Sequence, residues 1–335
     1  MQLDAIVGNE RARAFLAHAV KEDSPAHAYL FTGPAGIGKT ATALAFAADL
    51  LAAAGAPVGE SLHPDLWVED SDAEQVSIET IRRDGRTGRS GGEVADVEGA
   101  PAQPLQAFLS LKGMLSDRRV AVLARAERLR ETAAAPLLKT IEEPPPGAVL
   151  ILCTEAAELL PSTIRSRCQE VEFQRLGDAD VAGFLFARGL ELEPALLHLA
   201  GGCPGRAVRL AEDPDDAARR MEWVQALDGL LGASWLDVVS LGARFGTPDT
   251  ARNRVYAKEA LDVWETQVRD MAFSHAGAPE LAGGVQAADW PALTLPTLLE
   301  IWASLREAAD RVENNVNPRL AIEVFLADIR RSPAA

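Results

Sequence analysis

A single glycine-rich segment constrains the fold of this chain more than any other feature. Residues 33–40 read Gly-Pro-Ala-Gly-Ile-Gly-Lys-Thr, which fits the pattern G-x4-G-K-[ST]. The apolar run 29–31 (Tyr-Leu-Phe) precedes the segment, and a helical pattern follows it from residue 41. A strand, a glycine loop and a helix N-terminus in this order form a phosphate-binding loop. The segment therefore predicts an α/β fold built on a parallel sheet.

Each residue type in this loop has an expected task. Gly33, Gly36 and Gly38 let backbone N–H groups converge on phosphates. Lys39 is expected to reach the β- and γ-phosphates, and Thr40 to offer its hydroxyl to Mg²⁺. A glycine-rich turn that holds no ligand is the alternative interpretation of the same residues.

Short apolar runs alternate with helical patterns through the first half of the chain, as in a parallel sheet with crossover helices. The predicted strands are Ala28 to Thr32, Asp65 to Val68, Val120 to Leu123, Val149 to Cys153 and Glu170 to Phe173. The predicted helices between them are Ala41 to Leu51, Ile78 to Arg83, Leu105 to Leu115 and Thr132 to Ile141. From Asp178 onward the pattern is helical, so the rest of the chain is expected to be all-α.

The chain length of 335 residues predicts about two to three domains. We place a P-loop sheet domain at 1–175, a small helical domain at 176–213 and an all-α domain at 214–335. The acidic segment 213–216 (Asp-Pro-Asp-Asp) is interpreted as a linker. Residues 84–101 contain five glycines and no apolar period, which predicts a mobile loop of unassigned function.

The charge balance limits the classes of partner. Lysine plus arginine number 33 against 49 aspartate plus glutamate, a net charge of −16. Unaided binding to DNA or to an anionic membrane is therefore not expected. The densest basic group is interpreted as a solvated face, with a phosphate contact as the alternative; it comprises Arg82, Arg83, Arg86 and Arg89.

Cysteine and terminal patterns indicate the compartment. Cys153, Cys168 and Cys203 form neither a CxxC pair nor an even disulfide set, which predicts a reducing compartment and no zinc site. The N-terminus lacks a basic region followed by an apolar block, and no uninterrupted apolar run reaches the roughly 18 residues of a membrane span. We therefore expect a cytoplasmic protein.

The predicted strand 120–123 lacks the acid that ATP hydrolysis requires. A hydrolysing P-loop protein holds Mg²⁺ with a carboxylate at the end of a neighbouring strand. Here the two following positions are Ala124 and Arg125. Glu127 is the next acid, and its place inside the following turn favours a solvated surface side chain. The sequence therefore predicts no protein-held metal and no self-contained hydrolysis.

Five further segments of the sequence are distinctive when taken together. They are 27–34 (His-Ala-Tyr-Leu-Phe-Thr-Gly-Pro), 63–66 (His-Pro-Asp-Leu), 137–145 (Leu-Leu-Lys-Thr-Ile-Glu-Glu-Pro-Pro), 162–168 (Ser-Thr-Ile-Arg-Ser-Arg-Cys) and 204–207 (Pro-Gly-Arg-Ala). Their order and rough spacing resemble those of bacterial DNA polymerase III clamp-loader subunits. Over residues 3–209 the chain resembles that family and, within it, the delta-prime branch. Residues 314–321 are more weakly similar to the last helix of the family's collar domain.

The resemblance implies an AAA+ fold, with the P-loop domain followed by a helical lid at 176–213 and an oligomerising collar at 214–335. It implies a five-subunit spiral that opens a sliding clamp and closes it on primed DNA, with the motor (gamma/tau) and delta subunits as partners. The arginine of the Ser-Arg-Cys segment, here Arg167, projects in this family into the nucleotide site of the neighbouring subunit. Thr154 and Arg206 match the family's two nucleotide sensors, with strand capping and helix capping as their alternative roles.

The chain departs from the family pattern at two places; the loss of the acids favours the delta-prime branch, and the absence of a zinc module common to both kinds of subunit removes the expectation of a metal. Motor subunits carry Asp-Glu where this chain has Ala124 and Arg125, and a four-cysteine zinc module where residues 50–62 contain no cysteine. The resemblance then implies a stator that lends an arginine and does not hydrolyse ATP. Its own loop is expected to take ATP or ADP with Mg²⁺ weak or absent, and no zinc.

Two other functions stay open. The chain could be a self-sufficient clamp-loader motor ATPase, with Glu127 or a carboxylate from elsewhere replacing the missing acid. It could also be a P-loop kinase, which would need an acceptor-binding acid or base in the lid. The segments 137–145 and 162–168 speak against the kinase.

The remaining singular residues have structural interpretations. His63 precedes a proline without a nearby metal partner, so a turn or packing role is expected. The tryptophans of the all-α part are interpreted as core or interface packing, with a stacking platform for single-stranded DNA as the alternative. They are Trp235, Trp264, Trp290 and Trp302.

Overall fold

The computed structural model of the 335-residue chain describes residues 2–55, 63–71, 75–82, 103–129, 131–230, 234–278, 282, 293–314 and 316–331. The predicted loop 84–101 lies outside the described residues, as do Arg83, Arg86, Arg89 and Trp290. The chain forms two compact units, one of residues 1–176 with 203–205 and one of residues 177–202 with 206–335. The separation of lid from collar stays a prediction. Among the described residues, no helix combines the length and apolarity needed to cross a membrane.

The first unit is built on a parallel sheet. Its described strands are β1 (Ala28–Thr32), β2 (Leu66–Glu69), β3 (Arg119–Leu123), β4 (Ala148–Thr154) and β5 (Gln169–Glu172). Their order across the sheet is β2-β3-β4-β1-β5, and every neighbouring pair is parallel. All residues of β1, β3 and β4 are buried, as expected for strands covered by helices on both faces. The predicted α/β sheet is confirmed, with each strand within one residue of its expected bounds.

Helices cover both faces of this sheet. They are α1 (Glu10–Lys21), α2 (Lys39–Ala53), α3 (Ile78–Ile81), α4 (Leu105–Ser110), α5 (Glu131–Glu142) and α6 (Ser162–Arg165). Alternate residues of β1 enter two different cores: Tyr29 and Phe31 pack in the core that contains α1 and α2, and Leu30 packs in the one that contains α4 and α5. The unit is therefore a three-layer arrangement of helices, sheet and helices.

Helix α4 is shorter than the predicted helix Leu105 to Leu115, and a buried carboxylate explains the difference. The side chain of Asp65 is fully buried and accepts hydrogen bonds from the backbone N–H groups of residues 114–116, at 2.6, 2.8 and 3.0 Å. These groups then cannot take part in helical hydrogen bonds. Burial opposes the ionisation of Asp65, but the three donors together with Arg119 outweigh it and lower the pKa of the carboxyl.

The second unit is helical. Its described helices are α7 (Asp178–Phe186), α8 (Pro194–Leu199), α9 (Pro204–Glu212, whose first two residues belong to the first unit), α10 (Pro214–Leu230), α11 (Trp235–Ala243), α12 (Thr250–His275), α13 (Leu295–Glu313) and α14 (Pro318–Arg331). No strand occurs among the described residues after β5. Trp264 is fully buried, stacks on Phe325 and donates its indole N–H to the carbonyl of Trp223 at 2.8 Å. The predicted all-α C-terminal part is confirmed.

The acidic segment 213–216 is not a linker. The carboxylate of Asp213 accepts the backbone N–H groups of Asp215 (3.0 Å) and Asp216 (3.1 Å), so Asp213 caps α10. Asp216 is buried and pairs with Arg219 at 2.5 Å. Acidic residues are favoured in the first turn of a helix because the helix dipole is positive there. A charge pattern that suggested a linker therefore marks the start of a helix.

A buried histidine joins three helices of the second unit. His198 on α8 contacts Asp178 on α7 through Nδ1 (3.2 Å) and Asp270 on α12 through Nε2 (2.5 Å). The hydrogen bonds to Asp178 and Asp270 outweigh burial and raise the pKa of His198 to about 9. The imidazole is therefore charged at neutral pH and holds the two carboxylates together.

We expect Asp65→Asn to lower the free energy of unfolding by about 2 kcal/mol, because three backbone N–H donors lose a charged acceptor whose side chain is fully buried. Chemical denaturation at neutral pH measures the change. Asp117→Asn is the matched control, because Asp117 is exposed in the same loop. Since the pKa of Asp65 is lowered, its stabilisation is lost as the pH falls through that pKa. Equal losses in the two variants would contradict the anchoring role.

We expect His198→Gln to destabilise the chain most below pH 6.5 and progressively less as the pH rises through about 9. The sign follows from the raised pKa, because a folded state that binds the proton more tightly is stabilised wherever the proton is bound. The measurement is the difference in unfolding free energy between wild type and variant across this range. A difference that does not depend on pH would show that the histidine acts by packing alone.

Candidate functional site

The glycine loop lies where the sheet register brings two strand ends together. β1 pairs with β4 so that their last residues, Thr32 and Thr154, lie opposite each other. Gly33 opens the loop with a φ of 146°, and a Cβ atom there would lie 2.6 Å from the carbonyl oxygen of Phe173. Glycine is therefore required at this strand exit. Gly38, with a φ of 105°, closes the loop directly before α2.

Lys39, the first residue of α2, is buried inside the loop. Its Nζ donates to the carbonyl oxygens of Gly33 (2.7 Å) and Pro34 (2.8 Å). Burial lowers the pKa of Lys39, and the carboxylates of Glu155 and Glu127 oppose that change. An ammonium group held at the N-terminus of a 15-residue helix suits a phosphate. The loop residues therefore fit the phosphates of ATP or ADP.

The start of α9 lies against the glycine loop. The backbone N–H of Gly205 donates to the carbonyl oxygen of Gly36 at 2.8 Å, and a Cβ on Gly205 would come within 2.9 Å of that oxygen. Arg206, the next residue, belongs to the second unit, where its guanidinium pairs with Asp262 on α12 at 2.8 Å. A nucleotide contact by Arg206 stays a prediction.

Glu127 is the residue that the sequence interpretation placed wrongly. It is a partly buried acid on the short 3-10 helix Ala126–Arg128, and its Oε2 atom is buried with no hydrogen-bond partner among the described residues. Burial raises the pKa of Glu127, the charge of Glu155 adds to this effect, and a hydrogen bond from Thr154 opposes it. Sequence alone could not show this, because the fold of the turn decides whether such an acid faces solvent or the sheet edge.

The positions expected to carry the metal carboxylate make other contacts. The N–H of Ala124 donates to the carbonyl of Glu69 at 2.9 Å. The guanidinium of Arg125 pairs with Asp70, with 2.9 Å between Nη2 and Oδ1. The part of the chain that the structure describes holds no group of three or more His, Cys, Asp or Glu side chains that could bind a metal. The two residues directly after β3 therefore offer no side-chain ligand for Mg²⁺, because Ala124 has no oxygen and Arg125 is a cation paired with Asp70.

Thr154 and Thr40 are the two hydroxyl residues predicted at the loop. Thr154 is buried at the end of β4, and its Oγ1 accepts the backbone N–H of Ala156 at 3.1 Å. This contact is the strand-capping role; a role as nucleotide sensor stays a prediction. Thr40 is partly buried in the first turn of α2, directly after Lys39.

Arg167 lies on the surface of the first unit, between α6 and β5. Its side chain is 43% exposed. Its Nε lies 2.9 Å from a carboxylate oxygen of Glu142, and its Nη1 donates to the carbonyl of Thr163 at 3.1 Å. An exposed guanidinium fixed in this way can reach an acceptor on another molecule. The sequence motif identified Arg167 but gave no indication of Glu142 as its partner.

The remaining residues named from the sequence lie in turns, in the core or on the surface. The Nδ1 atom of His63 accepts the backbone N–H of Asp65 at 3.1 Å, which makes it a turn residue. Trp264 is a core residue, whereas Trp235 and Trp302 are 51% and 41% exposed. Arg82 is exposed at the end of α3.

The sequence matches the family described as DNA polymerase III, delta subunit, over residues 8–177. The chain belongs to this family. The matched region contains the sheet, the P-loop and Arg167, and it ends where the first unit passes into the helical part.

Relatives named as subunits of DNA polymerase III support this membership. The subunit delta' of Pseudomonas aeruginosa is 40% identical over 204 residues, which are 55% of this chain and 56% of the relative. The subunit delta' of Bacillus subtilis is 30% identical over 224 residues, 66% of this chain and 64% of the relative. The subunit tau of Bacillus subtilis is 27% identical over 62% of this chain and 36% of its own length. The chain thus matches somewhat more than half the length of the two delta' relatives.

Two solved structures share a distant likeness. A DNA polymerase III gamma subunit-related protein of Thermotoga maritima is 15% identical with a TM-score of 0.44, covering 95% of this chain and 99% of its own. The RuvB Holliday junction branch migration motor of the same organism is 18% identical with a TM-score of 0.45, covering 89% of each chain. Likeness at this level carries no functional weight.

We expect the isolated chain to bind ADP, and Lys39→Ala to weaken that binding at least about tenfold, because the substitution removes a buried charge at the phosphate loop. Isothermal titration calorimetry measures the affinity. Lys21→Ala, at the exposed end of α1, is the control and should bind ADP as wild type does. Equal affinity in Lys39→Ala and wild type would show that the loop is not the nucleotide site.

Proposed function

We propose that this chain is a delta-prime-type subunit of the DNA polymerase III clamp loader, a stator that lends Arg167 to the ATP site of a neighbouring subunit. The observation that supports this most is the combination of an exposed, fixed Arg167 with Ala124 and Arg125 at the two positions after β3 where a hydrolysing P-loop protein carries its metal carboxylate. Family membership and the names of the delta' relatives support the same function.

Arg167 has the chemistry that an arginine supplied from a neighbour requires. A guanidinium is charged throughout the physiological pH range, and its planar donors match phosphate oxygens. An arginine that stabilises the charge on a transferring phosphoryl group raises the rate of known NTPases by roughly 10³-fold or more. When the arginine comes from another subunit, hydrolysis depends on assembly. The position of Arg167 on the surface after α6 agrees with this role.

The glycine loop of this chain has a role different from that of Arg167. Lys39 and the start of α2 fit phosphates, whereas the side chain of Ala124 has no oxygen to offer a metal and the guanidinium of Arg125 pairs with Asp70. We propose that the loop takes ATP or ADP with Mg²⁺ weak or absent, does not hydrolyse it, and that the chain uses no zinc. Bound nucleotide would then stabilise the folded subunit by mass action.

The proposed partners are the motor (gamma/tau) and delta subunits, the sliding clamp, and primed DNA reached through the assembled complex. The net charge of −16 disfavours DNA binding by this chain alone. We place its activity in the cytoplasm, where bacterial DNA is replicated.

A self-sufficient motor ATPase is the second candidate function, because the partly buried Glu127 is hydrogen-bonded to Thr154 and close enough to Lys39 to oppose the lowering of the lysine pKa. In that case Glu127 would replace the acid missing at position 124. Family membership disfavours the third alternative, a P-loop kinase.

Steady-state ATP turnover separates these candidates. We expect the isolated chain to turn over ATP no faster than its Lys39→Ala variant. Added to its motor partners, sliding clamp and primed DNA, the chain should raise their turnover, and Arg167→Ala should abolish most of that rise. Arg165→Ala, an exposed arginine two residues away, is the matched control and should stimulate as wild type does.

Two results would contradict the proposal. Stimulation by Arg167→Ala equal to wild type would remove the trans-arginine role. Turnover by the isolated chain that is lost in Glu127→Gln would establish the motor ATPase instead.

A further inference from the structure

The side chain of Arg167 is held by contacts along one part of its guanidinium. Nε meets Oε1 of Glu142 at 2.9 Å, and Nη1 donates to the carbonyl of Thr163 at 3.1 Å and lies 3.4 Å from the hydroxyl of Ser166. Nη2 has no acceptor among the described residues. The outer end of the guanidinium is therefore available while its base is fixed.

Glu142 lies where the helix itself does not favour an acid. It is the last residue of α5, and a carboxylate at a helix C-terminus faces the negative end of the helix dipole. The neighbouring acid Glu143 is exposed and makes no ion pair among the described residues. Pairing with the guanidinium gives Glu142 the compensating charge, so its position is explained by Arg167.

The two partners are fixed to the same core. Ile141, next to Glu142, and Ile164, in the helix that precedes Arg167, belong to one buried cluster on the α5 side of the sheet. Both side chains therefore start from backbone that packing holds in place. An arginine side chain by itself has several free torsions, and its ordering costs conformational entropy.

We propose that Glu142 is a positioning residue that orients Arg167 for the phosphates of the neighbouring subunit's nucleotide, an inference that rests on the proposed function. Carboxylates and phosphates that bind arginine most tightly engage two of its nitrogens at once as a fork. Glu142 instead takes Nε alone and leaves Nη2 open. It therefore acts as a tether and reduces the ordering that Arg167 undergoes on assembly.

The first test of the contact between Glu142 and Arg167 uses the isolated chain and requires no enzymatic activity. Nuclear magnetic resonance of the arginine Nε–H groups follows Arg167, whose signal is assigned by its loss in Arg167→Lys. We expect Glu142→Gln to raise the hydrogen-exchange rate of this group about two- to fivefold, the range of an exposed ion pair. Glu143→Gln should leave it unchanged. An exchange rate that is the same in wild type and Glu142→Gln would overturn the tether.

The second test uses the assembled loader with sliding clamp and primed DNA. We expect Glu142→Gln to lower the stimulated kcat for ATP about two- to fivefold with an unchanged KM, whereas Glu142→Asp recovers part of the loss and Glu143→Gln shows none. In the Arg167→Ala background, Glu142→Gln should cause no further loss, because the two residues act through one contact.

The outcomes separate this inference from the proposed function. If Arg167→Ala abolishes stimulation while Glu142→Gln leaves it intact, the positioning role is wrong and the trans-arginine role stands. If Glu142→Gln raises the turnover, Glu142 competes with phosphate and the positioning role is again wrong. If Arg167→Ala has no effect on turnover, the proposed function fails, and the positioning role fails with it even where the exchange data show the ion pair.

Discussion

The parallel pairing of β1 with β4 is the constraint on which the site depends. Both strands are buried at every residue, so a shift of register would move a whole set of apolar side chains from one core to the other. The register places Thr32 opposite Thr154 and thereby brings the glycine loop and the end of β4 to the same edge. Nucleotide chemistry at that edge is a consequence of how apolar residues are buried.

Buried polar groups then determine where helices end and which helices are joined, which the apolar pattern does not specify. Asp65 gathers three backbone N–H groups and ends α4, and His198 joins three helices through two carboxylates. Each is costly to bury unless its partners are complete. The same reasoning applies to Glu127 near the end of β4, whose Oε2 atom is buried and has no hydrogen-bond partner among the described residues. Of these three groups, Glu127 is the one that makes this edge of the sheet sensitive to substitution.

The sheet and the glycine loop could be predicted from the sequence because both follow from local rules. Apolar runs predicted the strands. The glycine spacing predicted that the loop begins at Gly33, a position at the end of β1 where only glycine fits. The predictions were wrong where a partner outside the local pattern decides the structure. Asp65 accepts backbone N–H groups that the predicted helix 105–115 would have used, so α4 ends earlier. The carboxylate of Asp213 caps α10, so the segment expected to be a linker is the start of a helix. The contact between Glu142 and Arg167 joins segments 25 residues apart, and no motif spacing encodes it.

A cryo-electron microscopy structure of the loader assembled with an ATP analogue tests the central claim most directly. The account predicts that the guanidinium of Arg167 lies within hydrogen-bond distance of the phosphates of a nucleotide held by the adjacent subunit, while this chain's own loop holds no metal through its side-chain acids. Arg167 turned away from the adjacent nucleotide, or a magnesium ion bound by a carboxylate of this chain beside Thr40, would contradict it.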